Sequence, residues 1–225
     1  MAWDTARTKQ LLLDAAVEEF AEHGPQGARV ARVATRAGVN KERIYQYFGN
    51  KDDLFGAVLA SELARLAAAV SLSAEQAEDL GDYAGRVYDY HRAHPHFVRL
   101  LTWEALQYGT SETTGPLAAE AERTAHYAEK VQAVAAAQGV GALTRDTDPA
   151  RLMHAVIALV NAWFMLPQVA RLLMAATPNP HPASDRDALV LLVHRLTTHG
   201  PGSTDTPSPG QGPRTRQAPS AAASG

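Results

Sequence analysis

The chain has 225 residues, of which 46% are hydrophobic and 20% are charged, proportions that are ordinary for a globular protein with a sizeable core. It contains no cysteine, so disulfides, thiolate metal centres and cysteine nucleophiles are excluded. The formal net charge of −3 excludes a uniformly basic surface, so any contact with nucleic acid has to be confined to a local patch.

Apolar residues recur at helical spacing throughout the chain, and no stretch alternates with period two, which predicts an all-α protein of about nine helices. The first helix is expected at residues 4–23 and is ended by Gly24-Pro25. Short helices at 29–36 and 41–48 follow, joined by a turn at Gly38. Asn40 is placed to cap the helix at 41–48, and Asn50 to cap a fourth helix.

The sequence then predicts five longer helices, at residues 74–93, 95–108, 116–138, 149–175 and 185–198. Ser73, Asp148 and Ser184 suit the capping positions of three of them, and Pro167 is expected to kink the eighth helix of the chain. From residue 200 to residue 225 the composition changes, since 21 of the 26 residues are Pro, Gly, Ser, Thr or Ala. This tail has nothing to bury and is predicted to be disordered.

The chain offers no obvious membrane segment. The N-terminus has no apolar signal core, and the longest nearly apolar run, residues 152–166, contains His154 and Asn161 and is short for a bilayer span. We therefore expect a cytoplasmic protein that does not bind membranes.

A local basic patch lies between residues 28 and 51, on a chain that is acidic elsewhere. Against the single anion Glu42 it holds six cations: Arg29, Arg32, Arg36, Lys41, Arg43 and Lys51. A basic patch on an acidic body suits a protein that meets phosphates with one end only. An ordinary solvated face is the alternative interpretation.

The same segment has the spacing of a helix-turn-helix, in which the second helix reads DNA. Ile44 and Phe48 are expected to face the core, and Arg43, Gln46 and Tyr47 the outside. Arginine donates two hydrogen bonds to a guanine edge and glutamine bonds adenine. The periodicity alone is equally compatible with a helical hairpin that has a hydrated face.

Residues 12–59 resemble the N-terminal domain of the tetracycline-repressor (TetR) family of transcription regulators. The resemblance is carried by Leu-Asp-Ala-Ala at 13–16 with Phe20 and Gly24, by Val-Ala at 33–34 with Ala-Gly-Val-Asn at 37–40, and by Ile-Tyr at 44–45 with Tyr-Phe at 47–48 and Asn-Lys-Asp at 50–52. It implies phosphate contacts for Tyr45 and Lys51, and backbone or base contacts for Asn40, Lys41, Arg43, Gln46 and Tyr47.

Two positions depart from the family pattern. Ala28 replaces a threonine that often touches phosphate, so Arg29 is expected to take over that contact, and Glu42 replaces a small residue. The resemblance implies three parts: a helix-turn-helix DNA-binding domain at 1–50, a helical-bundle ligand-binding and dimerisation domain at 51–199, and the tail at 200–225. It also implies a homodimer that represses from a palindromic operator of double-stranded DNA until a small-molecule effector releases it. Activation, and a helical small-molecule- or partner-binding protein that has lost specific DNA recognition, stay as alternatives.

The dimer and effector residues are predicted from apolar faces and isolated polar groups. The candidates for the dimer interface are Val156, Val160, Leu189, Leu192, Val193 and Leu196. The candidates for the effector site are His91, Trp103, Glu104, Asn161, Trp163 and Phe164. Each has a structural alternative: an arginine partner for Glu104, a core hydrogen bond for His91, register across the dimer for Asn161, and packing for the aromatic residues.

Enzymatic and metal chemistry find no support in the sequence. His91, His94 and His96 come close together, but Pro95 interrupts the helix between them and no acidic partner follows, so we expect no metal site. The sequence has no phosphate-binding loop, dinucleotide fingerprint or nucleophile elbow. We therefore expect neither a cofactor nor an enzyme.

Overall fold

The computed structural model describes residues 2–110, 117–178 and 184–198. Over these ranges every regular element is helical, as the apolar spacing predicts. The elements are α1 (Ala2–Gly27), α2 (Val30–Ala37), α3 (Lys41–Phe48), α4 (Lys51–Ala69), a 3₁₀ turn (Gln76–Glu78), α5 (Leu80–Ala93), α6 (Pro95–Thr110), α7 (Glu120–Gly139), α8 (Pro149–Met165), α9 (Pro167–Ala175) and α10 (Asp185–Thr197). The predicted tail at 200–225 lies outside the described residues.

The first three helices pack around one small core together with the start of α4. Leu12 and Phe20 of α1, Ile44 of α3 and Leu54 of α4 are almost completely buried in it. Gly38 turns the chain between α2 and α3 with φ +66°, in the left-handed region that glycine adopts without strain. Because α4 contributes to this core, the packed N-terminal unit extends beyond residue 50.

The capping residues follow the sequence prediction at most helix starts. The side chains of Asn40, Asn50, Asp148 and Ser184 accept hydrogen bonds from backbone N–H groups in the first turns of α3, α4, α8 and α10. Ser73 instead closes the 3₁₀ turn by accepting from the backbone N of Gln76 at 3.2 Å.

Four predicted helices differ from the observed ones by more than two residues at one end or by a break. The seventh begins at Glu120 rather than at 116. The first does not end at residue 23, because the chain bends at Gly24 and continues for one more turn to Gly27. The fifth begins at Leu80 rather than at 74, since Asp79 supplies the cap that was assigned to Ser73. The eighth is two helices, α8 and α9, which meet at 78° where Pro167 breaks the hydrogen-bond ladder.

The remaining helices build a second core, in which α5 is packed between α10 and α8. Leu80, Phe97, Val156 and Leu189 are fully buried there. Within the described ranges no single helix is long and apolar enough to cross a membrane, although the bent pair α8–α9 meets length and composition criteria together. The α4 helix belongs to both halves, since its first turns pack on the N-terminal core and its later turns face the second core.

Candidate DNA interface and effector cavity

The outer face of α3 gathers three polar side chains. Arg43 Nη1 lies 3.1 Å from Gln46 Oε1 and 3.5 Å from the Tyr47 hydroxyl oxygen. Arg43 and Gln46 are exposed and Tyr47 is half-buried, whereas Ile44 on the opposite face is completely buried. The helical spacing predicts this outward face. A guanidinium beside an amide on one exposed helix face is an arrangement that suits base edges in the major groove.

Helix α3 and the first residue of α4 carry the side chains for which the resemblance implies contacts with the DNA backbone. Asn40 caps the helix, its Oδ1 accepting from the backbone N of Glu42 at 3.2 Å. Lys41 at the first position of α3 and Tyr45 one turn later are both exposed. Lys51 Nζ lies 3.4 Å from the carbonyl oxygen of Gln26, so the start of α4 is tied to the end of α1. A capped helix N-terminus with a lysine at its first position favours an anion such as phosphate.

Glu19 of α1 holds the start of α2 in place. Its carboxylate is 1% exposed, accepts from the backbone N of Arg29 at 2.8 Å and pairs with the Arg32 guanidinium at 2.6 Å. Burial alone raises the pKa of a carboxyl, but these hydrogen bonds and charges outweigh it and leave the pKa of Glu19 below its usual 4.5. Arg29 occupies the N-cap position of α2, but its side chain makes no capping hydrogen bond. Glu19 takes this role from α1 by accepting from the backbone N of Arg29.

Two of the six cations in the basic patch are neutralised within the chain. Arg32 pairs with Glu19, and Arg36 pairs with Glu18 of α1 at 3.1 Å. The sequence count therefore overstates the charge available to DNA, because α1 supplies carboxylates that are distant in sequence. A cation that sequence reasoning missed lies beside the reading face, where Lys9 Nζ is 5.6 Å from the centre of the Tyr47 ring.

A cavity of about 320 Å³ lies among α4, α5, α6, α7 and α8. Its walls are mainly apolar, and α4 alone contributes Ala60, Leu63 and Leu66. The polar and charged groups in the wall are Tyr83, His91, Glu122, Arg123, His126, Tyr127, Lys130 and Asn161. A concave apolar site of this size with a few polar groups is the usual form of a small-molecule site.

His91 and Asn161, two of the predicted effector residues, meet in the wall of this cavity. His91 is 1% exposed, and its Nε2 lies 2.9 Å from Asn161 Oδ1. Burial lowers the pKa of His91, so the imidazole is neutral near pH 7. Its Nδ1 is buried and has no hydrogen-bond partner among the described residues. The pair therefore places polar side chains in a wall that is mainly apolar.

Comparison with known proteins identifies the chain. Residues 12–58 match the family described as "Bacterial regulatory proteins, tetR family", and residues 79–195 match "Tetracyclin repressor-like, C-terminal domain". The chain belongs to the TetR family of transcriptional regulators. The HTH-type transcriptional repressor SCO4008 of Streptomyces coelicolor is 42% identical over 173 residues, which cover 77% of this chain and 86% of that protein. The repressor NicS of Pseudomonas putida is 36% identical over 46% of this chain and 50% of its own length.

Solved structures of transcriptional regulators share this fold. The transcriptional regulator SCO4942 from Streptomyces coelicolor superposes with a TM-score of 0.70 at 32% identity, covering 84% of this chain and 98% of its own. FadR from Bacillus subtilis, solved in complex with stearoyl-CoA, superposes with a TM-score of 0.62 at 16% identity over 83% of this chain and 96% of its own. At 16% identity the likeness to FadR is one of fold alone.

Four predicted effector residues of this TetR-family regulator lie outside the cavity wall. Glu104 is held by the Arg123 guanidinium at 2.7 and 3.2 Å, the arginine partner that the sequence left open. Trp103 packs on Gly24 of α1. Phe164 lies 5.4 Å from the His91 ring, centre to centre, and Trp163 packs against the second core. The contacts of these three aromatic residues are packing contacts, the structural alternative for each, and their role in effector binding stays a prediction.

The predicted dimer residues divide into two groups. Val156, Val160, Leu189 and Val193 are at most 1% exposed within their own chain, so they cannot contact a partner and their assignment is corrected. Their apolar character fits an interface and a core equally well, and here the core of the same chain accounts for it. Leu192 and Leu196 are 49% and 47% exposed on α10 and keep their place as candidates.

Sequence reasoning missed the cavity residues of α7. Lys130 shares one helix face with Ala133, Val134 and Ala137, which are buried. A single lysine in an otherwise apolar stripe was the signal that could have found it.

Among the described residues no group of three or more His, Cys, Asp or Glu side chains is placed to hold a metal ion.

Proposed function

We propose that this TetR-family regulator is a repressor that binds a palindromic operator as a homodimer and leaves it when a small molecule occupies the cavity. The observation that carries the proposal is the cluster of Arg43, Gln46 and the half-buried Tyr47 on the outer face of α3, flanked by Lys41, Tyr45 and Lys51. Side chains at such positions combine base reading with phosphate clamping. The relatives SCO4008 and NicS are both named as repressors, which supports repression rather than activation.

The α4 helix supplies a physical link between effector and DNA. Leu54 and Phe55 in its first turns are buried against the DNA-reading helices, and Leu63 and Leu66 further along line the cavity. A ligand that separates the cavity walls has to move α4, and α4 cannot move without the core that it shares with α1 and α3. The effector releases DNA only if it binds more tightly to the arrangement in which the two reading helices no longer match adjacent grooves.

Exposed apolar residues near the C-terminal end support the homodimer. Leu192 and Leu196 lie four residues apart on α10 and share one exposed stripe, with Leu191 beside them. A pair of helices from each subunit builds a four-helix interface around such stripes. A two-fold dimer places two reading helices about 34 Å apart, one turn of DNA, which a palindromic operator requires.

The test is binding to the DNA upstream of the regulator's own coding sequence, measured by fluorescence anisotropy at several salt concentrations. The wild type should bind this DNA at least about a hundredfold more tightly than random duplex, with a logarithmic affinity that falls linearly with log salt. Arg43→Ala should lose most of that preference, about 1–3 kcal/mol for one bidentate base contact. Arg151→Ala is the matched control, since Arg151 is 83% exposed on α8, away from the reading face.

Two outcomes would contradict the proposal. Equal affinity for upstream and random duplexes would favour the alternative, a helical binding protein that has lost specific DNA recognition. An unchanged base preference in Arg43→Ala would remove the reading role from the outer face of α3.

A further inference from the structure

Lys130 is a buried ammonium in the wall of the cavity. It is 5% exposed, its Nζ lies 4.9 Å from the centre of the Tyr83 ring, and it donates to the carbonyl oxygen of Val70 at 3.4 Å. Among the described residues it forms no ion pair with a carboxylate. An ammonium has three N–H donors, so one carbonyl and one aromatic face leave it capacity for a further acceptor.

The neighbouring charges do not supply a counter-ion. Arg86 of α5 adds positive charge and is itself paired with Asp82 at 2.9 Å. Arg123 is already paired with Glu104, and Glu122 is exposed at the edge of the cavity. Burial and Arg86 together lower the pKa of Lys130 to about 8, which Glu129 only partly offsets, so the amine is still mostly protonated at pH 7.

His91, whose buried Nδ1 has no hydrogen-bond partner among the described residues, lines the same wall. Tyr83, Val87 and His91 all line the cavity from one face of α5. The eight helical steps from Tyr83 to His91 span about 12 Å at 1.5 Å per residue. The cavity therefore has a cationic end at Lys130, an apolar middle, and a neutral hydrogen-bonding end at His91.

We propose that the effector is an apolar organic acid bound as its anion, with the carboxylate paired to Lys130 and the body lying along α5 toward His91. The inference rests on the proposed function, since it assigns a chemical class to the ligand of that same cavity. A buried ammonium without a counter-ion is costly, and a carboxylate that fills its free donor removes this cost. A cationic ligand would meet Lys130 unshielded, and a neutral ligand would leave it unpaired. The cavity of about 320 Å³ suits a compact medium-chain or aryl acid.

The experiment compares acids with isosteric neutral and cationic probes on the full-length protein. Octanoate, decanoate and 4-phenylbutyrate are titrated by calorimetry beside their primary amides and the corresponding amines. For the wild type, at least one carboxylate should bind about tenfold or more tightly than its amide, and the amine more weakly still. Lys130→Met should abolish the difference between acid and amide, whereas Lys130→Arg should retain part of it.

Controls separate recognition from folding. Lys130→Met removes an unpaired buried charge, so its melting temperature without ligand should equal or exceed that of the wild type. Arg151→Gln removes an exposed cation from α8 and should leave the preference for acids unchanged. His91→Phe should weaken acids that carry a second polar group at the far end more than unsubstituted ones.

The outcomes distinguish this inference from the proposed function. If no carboxylate in the panel binds more tightly than its amide, or if Lys130→Met keeps the preference, the inference is wrong. If amides or amines release the upstream DNA and acids do not, the proposed effector-responsive repressor is supported and the assignment of an acidic effector is wrong. If acids bind through Lys130 but the protein binds the upstream DNA no more tightly than random duplex, the inference is supported and the proposed function is wrong.

Discussion

The indole ring of Trp103 lies directly on Gly24, so close that a Cβ on Gly24 would be 2.8 Å from Trp103 Cε2. Gly24 is the kink of α1, and Trp103 belongs to α6, so this contact is part of the seam along which α6 packs on α1. The DNA-reading end of the molecule rests here on the ligand-binding end. Close packing of a large aromatic side chain requires the smallest residue opposite it.

Replacing Gly24 by alanine should destabilise the folded protein by about 1–3 kcal/mol. The residue has φ 66° and ψ 171°, a conformation that side-chain-bearing residues rarely adopt, and the added methyl group collides with Trp103. Urea unfolding followed by circular dichroism measures the change. Gly139→Ala is the control, since nothing lies within 4 Å of its added Cβ at the end of α7, and its stability should be unchanged or slightly raised. Equal midpoints for wild type and Gly24→Ala would contradict the close contact.

Replacing Glu19 by glutamine should lower the free energy of unfolding by roughly 2 kcal/mol. The substitution removes the negative charge that accepts hydrogen bonds from the backbone N of Arg29 and from the Arg32 guanidinium. Glu18→Gln is the matched control on the same helix: Glu18 is 69% exposed in its pair with Arg36, and its replacement should cost little. Unfolding free energies at pH 7 compare the two, and a larger loss for Glu18→Gln would refute the role assigned to Glu19.

The same carboxylate should make stability depend on acid pH. The folded-state pKa of Glu19 lies below its unfolded value of 4.5, so folding is favoured by the ionised form. This contribution is complete above pH 4.5 and is lost as the pH falls through the folded-state pKa. Between pH 6 and pH 3 the wild type should therefore lose more unfolding free energy than Glu19→Gln, measured in urea at each pH. Parallel curves would show that Glu19 carries no such contribution.

Lys41 and Arg36 should differ in their effect on the salt dependence of DNA binding. Lys41 is exposed at the first position of α3, whereas Arg36 is already paired with Glu18 at 3.1 Å. Lys41→Gln should reduce the slope of log affinity against log salt by about 2 in the proposed homodimer, as expected for one phosphate contact in each subunit, and Arg36→Gln should reduce it less. Anisotropy titrations on the upstream DNA give both slopes, and the reverse order would show that Glu18 does not neutralise Arg36.

A charge on the exposed stripe of α10 should separate the proposed dimer. Leu192→Glu places a carboxylate in an apolar interface, where its desolvation is not compensated, so light scattering after gel filtration should show monomers and operator binding should weaken strongly. Val140→Glu is the control, since Val140 is 74% exposed at the end of α7, and it should leave the mass unchanged. A dimeric Leu192→Glu would place the interface elsewhere.

Features that depend on near neighbours in sequence were predictable. The reading face of α3 follows from spacing alone, because residues three and four apart share one side of any helix. The same holds for the caps at Asn40, Asn50 and Asp148, whose side chains bond the backbone two or three residues on. The length of the fifth helix was mispredicted because Ser73 and Asp79 are both good caps, and local propensity does not choose between them.

The sequence by itself determined the helical class, the turn at Gly38 and the outward set Arg43, Gln46 and Tyr47, since each is governed by interactions within a few residues. Only the tertiary structure decided which charges and apolar faces remain available. It paired Arg32 with Glu19, buried Leu189 and Val193 while leaving Leu192 exposed, and put Lys130 into a cavity wall without a carboxylate partner. Burial and charge compensation depend on which distant segments pack together, and no local pattern in the chain specifies that.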